Sequence, residues 1–303
     1  MSTITTPTTI QATRSHNSTP SFLGLVRGEF FKISRQWTVW LMLVLLLGII
    51  ALLYLITFTI PNIKDTLDTA PLTFFQQRME SNISVLRVFI GIFLLVLTST
   101  VIGLEYQLGT IRILLARGVR RLQLLAAKVL TVALFGLIVF AVSLLLNVLF
   151  MSLIVFLIAG NLNAFHALNA TFWNDTRVYL WTTLLSMGVT ILLATALSVL
   201  GRSLAIGLSA ALIWFPVDNV GTEFLYLASR LTKSNFWLNI SAYLLGPNLN
   251  TMPASILNKR VLDIGITPLV QVDGPHTLYV TLAYALLFIV VAILFMWKRD
   301  VRE

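Results

Sequence analysis

The chain has 303 residues, 57% hydrophobic and only 11% charged, with a mean hydropathy of +0.90. Soluble globular chains carry about 25% charged residues, so this composition excludes that class and points to a membrane bundle. There is no cysteine, which removes disulfide frameworks and thiolate metal sites.

Residues 1–19 are rich in Ser, Thr, Asn and Gln and are predicted to be a disordered cytoplasmic tail. They lack the apolar core of a cleavable signal peptide, so the first span is expected to be an uncleaved anchor. Thr19-Pro20 reads as an N-cap followed by proline at the first helical position. From there, residues 20–36 predict an amphipathic interfacial helix. Leu23, Val26, Phe30, Ile33 and Trp37 repeat every three or four residues, while Arg27, Lys32 and Arg35 take other positions.

Residues 37–303 form the transmembrane domain. A first span is predicted over 37–60, ended by Pro61, and a polar outer loop then runs to Ser81. The second span is 83–104, with Arg87 near its outer end, placed to snorkel to headgroups. The third, 125–159, would be about 52 Å of helix against a hydrocarbon core of about 30 Å. It must tilt, project or break near Asn147. Spans at 178–200 and 204–216 flank a tight inner turn, Gly201-Arg202-Ser203, and the last span is 277–297.

Ser203, Gly207 and Ala211, with Ala194 and Ser198 on the neighbouring span, form rows of small residues that let helices approach closely. They read as helix packing, within the chain or at a subunit interface. The outer segment 217–276 is too long to be structureless. Its patches Phe224–Leu227 and Phe236–Leu238 are too short to span and predict interfacial or re-entrant helices. The fold class is therefore an all-α integral membrane protein with six transmembrane helices, an N-terminal amphipathic helix and outer-leaflet helices before the last span.

Charge sets the orientation. With both ends inside, the cytoplasmic side holds 13 Lys/Arg and 4 Asp/Glu, and the outer side 8 of each. The whole net charge of +9 thus lies on the inner face, as the positive-inside rule requires. That distribution argues for anionic lipid or an acidic partner surface and against nucleic acid.

The most basic inner loop, Glu105 to Lys128, reads EYQLGTIRILLARGVRRLQLLAAK. Gly109-Thr110 breaks one helix and offers a hydroxyl N-cap for the next. Ile111, Leu114 and Leu115 fall on one face, Arg117 lies in the last turn, and Gly118 is a C-terminal stop. A helix of about two turns is predicted, lying along the membrane surface as a docking element.

This pattern resembles the permease subunits of ABC-2 type ATP-driven transporters: Glu105, then Gly109-Thr110, an Arg-bearing helix, and Arg121 with Lys128 entering the next span. The amphipathic helix before the first span and Lys298-Arg299-Asp300 at the end share the likeness. The resemblance implies a cytoplasmic coupling helix that docks on an ATPase. Its residues here would be Glu105, Gly109, Thr110, Ile111, Arg112, Leu114, Leu115, Arg117 and Arg121. It also implies two ATP-binding cassette subunits and a second permease subunit, the same or different. ATP and magnesium would sit on the partner, with no cofactor on this chain, in a prokaryotic cytoplasmic membrane.

Missing chemistry points the same way. His16, His166 and His276 lie in separate predicted loops, and there is neither an HExxH nor a P-loop sequence. No metal site and no catalysis by the chain itself are expected. The assigned spans hold no acid, which disfavours proton-driven transport. Asp218 and Glu223, just past Pro216, are outer-gate candidates. The functional expectation is an ATP-driven export permease. The alternative is a non-transporting scaffold or sensor that anchors a cytoplasmic partner.

Overall fold

The computed structural model describes residues 21–116, 118–259 and 265–298. Among these, every regular element is helical, and six helices are long and apolar enough to cross a membrane. Helix α1 (Phe22–Arg35) leads into α2 (Trp37–Thr57), and a short α3 (Ile63–Thr69) precedes α4 (Pro71–Gln107). The small α5 (Thr110–Ala116) stands between α4 and α6 (Arg121–Ala159). A 3-10 turn at Asn163–Ala167 precedes α7 (Ala170–Gly201) and α8 (Leu204–Thr232). Two shorter helices, α9 (Phe236–Ser241) and α10 (Leu245–Leu257), come before α11 (Gly274–Lys298). The expected tail 1–19 and the Thr19-Pro20 cap lie outside the described residues. The cap found for α1 is Ser21, whose hydroxyl accepts from the Gly24 N–H at 3.1 Å.

Several helices outrun the hydropathy that located them. The polar loop expected before Ser81 is helical, because α4 starts at Pro71 and runs for 37 residues. Proline suits that first position. Phe74, Phe75 and Met79 then bury against Leu67 of α3 and Phe172 and Tyr179 of α7, which hydropathy averaging cannot see. α6 extends unbroken for 39 residues. Asn147 does not interrupt it: its side chain donates to the Ser143 carbonyl at 2.8 Å and accepts from the Tyr54 hydroxyl of α2 at 3.0 Å.

The fifth span was expected to stop at Pro216, but α8 passes through that proline to Thr232. Membrane helices tolerate an internal proline when neighbours satisfy the freed backbone groups. Phe224–Leu227 is therefore part of α8 rather than a separate element. The helices, longer than the assigned spans, do carry acids: Glu80 and Glu105 lie within α4, Asp175 within α7, and Asp218 and Glu223 within α8, with Asp218 at the midpoint of its helix.

The bundle is built around α4 and α7. Their most apolar windows are 61% buried, against 22% for α2 and α11 and 17% for α8, which form the rim. The α7–α8 contact rests on the small residues: Ser198, Ala194, Gly207 and Ala211 are all buried. A Cβ on Gly207 would come within 2.8 Å of the Ser198 Cα. These small residues are thus used in helix packing inside the chain.

Candidate functional site: the basic end of the bundle

One end of the bundle gathers α1, the α4–α5–α6 connection, the α7–α8 turn and the last turn of α11. Gly103 of α4 lies so close to the α7–α8 turn that a Cβ there would stand 2.8 Å from the Leu204 Cα. The Tyr106 hydroxyl donates to the Met296 Sδ at 2.9 Å, and Arg121 donates to the Trp297 carbonyl at 3.4 Å. These contacts place the basic segments of the sequence on one face, as the charge distribution requires.

At its centre is a closed ring of four charges. Lys32 Nζ lies 2.8 Å from Glu29 Oε1 and 2.7 Å from Glu105 Oε1. Lys128 Nζ lies 2.9 Å from the second oxygen of each carboxylate. Each lysine therefore bridges the two glutamates, and every carboxylate oxygen meets one ammonium. Lys128 also donates to the Val101 carbonyl at 3.1 Å. Its side chain is 2% exposed, whereas that of Lys32 is 52% exposed, so the ring has a dry side and a wet side. Burial works against the charge of Glu29, but Lys128 and Lys32 outweigh it and hold its pKa below the ordinary value. For Lys32, burial again opposes charge, and the two carboxylates overcome it and raise its pKa.

The ring joins three elements, since Glu29 and Lys32 belong to α1, Glu105 to α4 and Lys128 to α6. Helix α1 is thereby fixed to the bundle by charge as well as by packing. Glu29 and Ile33 are its buried residues, and Phe30 meets Phe135 of α6 edge-on with ring centroids 5.6 Å apart. Leu23 and Trp37 are 77% and 79% exposed, while Glu29, three residues after Val26 and four before Ile33 at the edge of the apolar face, turns inward beside Ile33. The excess of cations nearby was the one available hint of its role.

Helix α5 covers the predicted two turns. Gly109 and Gly118 adopt φ of +70° and +85°, a left-handed geometry suited to glycine. Gly118 donates to the Leu115 carbonyl at 3.0 Å and Val119 to that of Leu114 at 3.4 Å, the paired pattern of a glycine stop. Thr110 does not cap α5 as expected. It is the first helical residue, and its hydroxyl donates back to the Glu105 carbonyl at 3.4 Å, closing α4. Ile111 is 3% exposed and packs inward, and Leu114 and Leu115 are half-buried. Arg112, Ile113 and Ala116 are the exposed residues of α5, with Ile113 at 56%, and Leu108, just before it, is 65% exposed; neither Ile113 nor Leu108 stands out in the sequence pattern. Arg117 lies outside the described residues. Glu105 is buried in the ring and Arg121 opens α6.

The two outer-gate candidates are not brought together. Asp218 is buried, and its carboxylate accepts from the Gly246 N–H at the start of α10, an N-terminal cap supplied from another helix. Glu223 is exposed on a different face of α8. Arg87, expected to snorkel outward, is 8% exposed and donates to Asn250 Oδ1 at 2.8 Å. Among the described residues, no cluster of three or more His, Asp or Glu has metal-site geometry.

Six helices long and apolar enough to cross a membrane, with a short helix held at the basic end between two of them, define a multi-pass membrane protein. The family model for ABC-2 family transporter proteins matches residues 25–218, about two thirds of the chain and the whole of this end apart from α11. The chain belongs to that family. No curated protein matches it. Membership makes it a transport permease, a membrane component of a kind that associates with ATP-binding cassette subunits.

Proposed function

We propose that the chain is the translocating subunit of an ATP-driven exporter, non-catalytic itself and coupled to separate ATP-binding subunits through α5. Two ATP-binding subunits and a second permease subunit would complete the complex, with ATP and magnesium bound to the partner. The basic end would face the cytoplasm of a prokaryotic cell, with both termini on that side.

The observation that carries this reading is the construction around α5. A short helix with Arg112 and Ile113 turned outward sits on the ends of α4 and α6. Those same helices are tied to α1 by the charge ring. A push on α5 would reach α4 directly and α1 and α6 through the ring. Ile113 and the half-buried Leu115 would supply the apolar contact to the ATPase, and Arg112 the charge pairing. Asp218, which holds α10 to α8, is the gate candidate best placed to pass movement to the opposite end. Glu223 faces away from that contact.

Purification in mild detergent, followed by identification of co-purifying subunits and an ATPase assay, tests this reading. A stoichiometric nucleotide-binding subunit, lost in Ile113→Asp at unchanged expression, is the expected result. An intact chain that carries no nucleotide-binding partner would overturn it in favour of a scaffold or sensor.

A further inference from the structure

Helix α1 meets the bundle with one face and leaves the other open. Inward, Phe30 packs edge-on against Phe135, Ile33 is fully buried, and the Thr131 hydroxyl of α6 donates to the Val26 carbonyl at 3.4 Å. Outward stand Leu23, Arg27, Phe31 and Arg35, all exposed. They follow at four-residue steps, so they form one slanted ridge, about 18 Å long, that alternates apolar and cationic side chains. Neither arginine is neutralised: among the described residues Arg27 and Arg35 form no ion pair. Lys32 on the same helix, by contrast, is held by two carboxylates. The Arg35 guanidinium instead lies over the Phe31 ring, 5.1 Å from its centroid, a cation–π contact that brings it one turn back toward Arg27. The ridge also runs into the exposed side of the first span. Trp40, on that side of α2 with Leu41, Val44 and Leu45, donates its indole N–H to the Ser34 carbonyl at 2.9 Å. Helix α2 is long and apolar enough to cross a membrane, so this side meets acyl chains, and Trp37 and Trp40 at its start suit the headgroup level.

We propose that the outward face of α1 is a binding site for anionic phospholipid of the leaflet at the basic end. Arg27 and Arg35 hold the headgroup phosphates, while Leu23 and Phe31 dip into the acyl boundary. A guanidinium presents a planar fork of donors that matches phosphate oxygens, and two of them without a carboxylate partner favour a headgroup of net negative charge. An acidic protein surface would satisfy the arginines but would leave Leu23 and Phe31 to find apolar partners of their own. A phospholipid answers both halves of the ridge, because polar and apolar parts meet at the depth that Trp37 and Trp40 mark. The opposite face of α1 is fixed to the bundle by the charge ring, so the ridge is held in place before lipid arrives. The site belongs to this chain alone and does not depend on coupling to an ATPase.

The test is native mass spectrometry of the full chain released from nanodiscs of phosphatidylcholine mixed with phosphatidylglycerol, two lipids that share a phosphate and differ in net charge. The wild type is expected to retain phosphatidylglycerol in preference to phosphatidylcholine. Arg27→Gln and Arg35→Gln should each reduce that preference about fivefold, the contribution of one cation near a charged leaflet. The double variant should lose most of it. Phe31→Ala removes no charge but takes away the ring beneath the Arg35 guanidinium, and it should lower the preference as well. Arg120→Gln removes an exposed cation at the same end and should change the preference little. All four side chains are exposed, so an unchanged melting temperature is expected and shows that each variant folds. A loss with Arg120→Gln equal to that with Arg27→Gln would reduce the effect to general charge and overturn the site. Displacement of the lipid by an added ATP-binding subunit would assign this face to a protein partner and overturn it too.

Discussion

Lys128 Nζ of α6 and Glu29 Oε2 of α1 meet at 2.9 Å, 99 residues apart in sequence and both almost fully buried. This contact joins the amphipathic helix to the membrane bundle on its dry side. A buried ion pair gains little over a well-packed apolar pair, but removing one partner strands the other charge. Lys128→Met should therefore destabilise the chain by about 3–5 kcal/mol, read as a lower melting temperature in detergent. Lys128→Met combined with Glu29→Gln should recover part of that loss, because one of the two stranded carboxylates is gone. If the single and double variants melt together, the ring contributes no such coupling.

The ring also fixes a pH range for α1 docking. Glu29 has a pKa below its ordinary value of 4.5, so its contribution is complete above that value and is lost as pH falls through the lower, folded value. Lys32 has a pKa above its ordinary 10.5, so its contribution is complete below 10.5 and is lost as pH rises through the raised value. Because the chain has no cysteine, spin labels can be placed uniquely at Leu23 and Leu122, both exposed. Their separation should stay constant from about pH 4.5 to 10.5 and widen outside that window.

The α7–α8 contact offers a steric test. Gly207→Leu would drive its side chain into the backbone at Ser198, and overpacking of this kind costs about 1–3 kcal/mol. A lower thermal midpoint in detergent is the expected result. Gly48→Leu, at a site with open space around the Cβ position, should leave the midpoint near that of the wild type.

Two isoleucines of α5 should separate folding from docking. Ile111 is 3% exposed and Ile113 56%, so Ile111→Asp should lower thermal stability, whereas Ile113→Asp should leave it intact. Under the coupling proposal, only Ile113→Asp yields a stable permease with weakened ATPase binding. Equal co-purification of the ATPase with Ile113→Asp and wild type would remove that residue from the interface.

Asn250 should matter to the opposite half of the bundle. It accepts from Arg87 and donates to Asn219 and Ile266, so Asn250→Ala leaves several buried groups short of partners. A loss of about 2–5 kcal/mol follows if these bonds hold α10 in place. Earlier local hydrogen exchange in α10 than in α7 would locate that loss.

Composition and hydropathy determined that this is a six-helix membrane chain, because long apolar runs have few alternatives in water. The charge asymmetry predicted that the basic segments share a face, and Gly109 and Gly118 marked the ends of α5. These signals are local and survive without contacts. What only the tertiary structure decided depends on neighbours. Glu29 turns inward because Lys128, 99 residues away, makes its burial tolerable. Ile111 is consumed by the bundle and leaves Ile113 outward. Pro216 sits inside α8, exposed, with the helix continuing to Thr232. Arg87 reaches Asn250 instead of the headgroups because α10 folds back into the bundle, a placement that no pattern within α4 encodes.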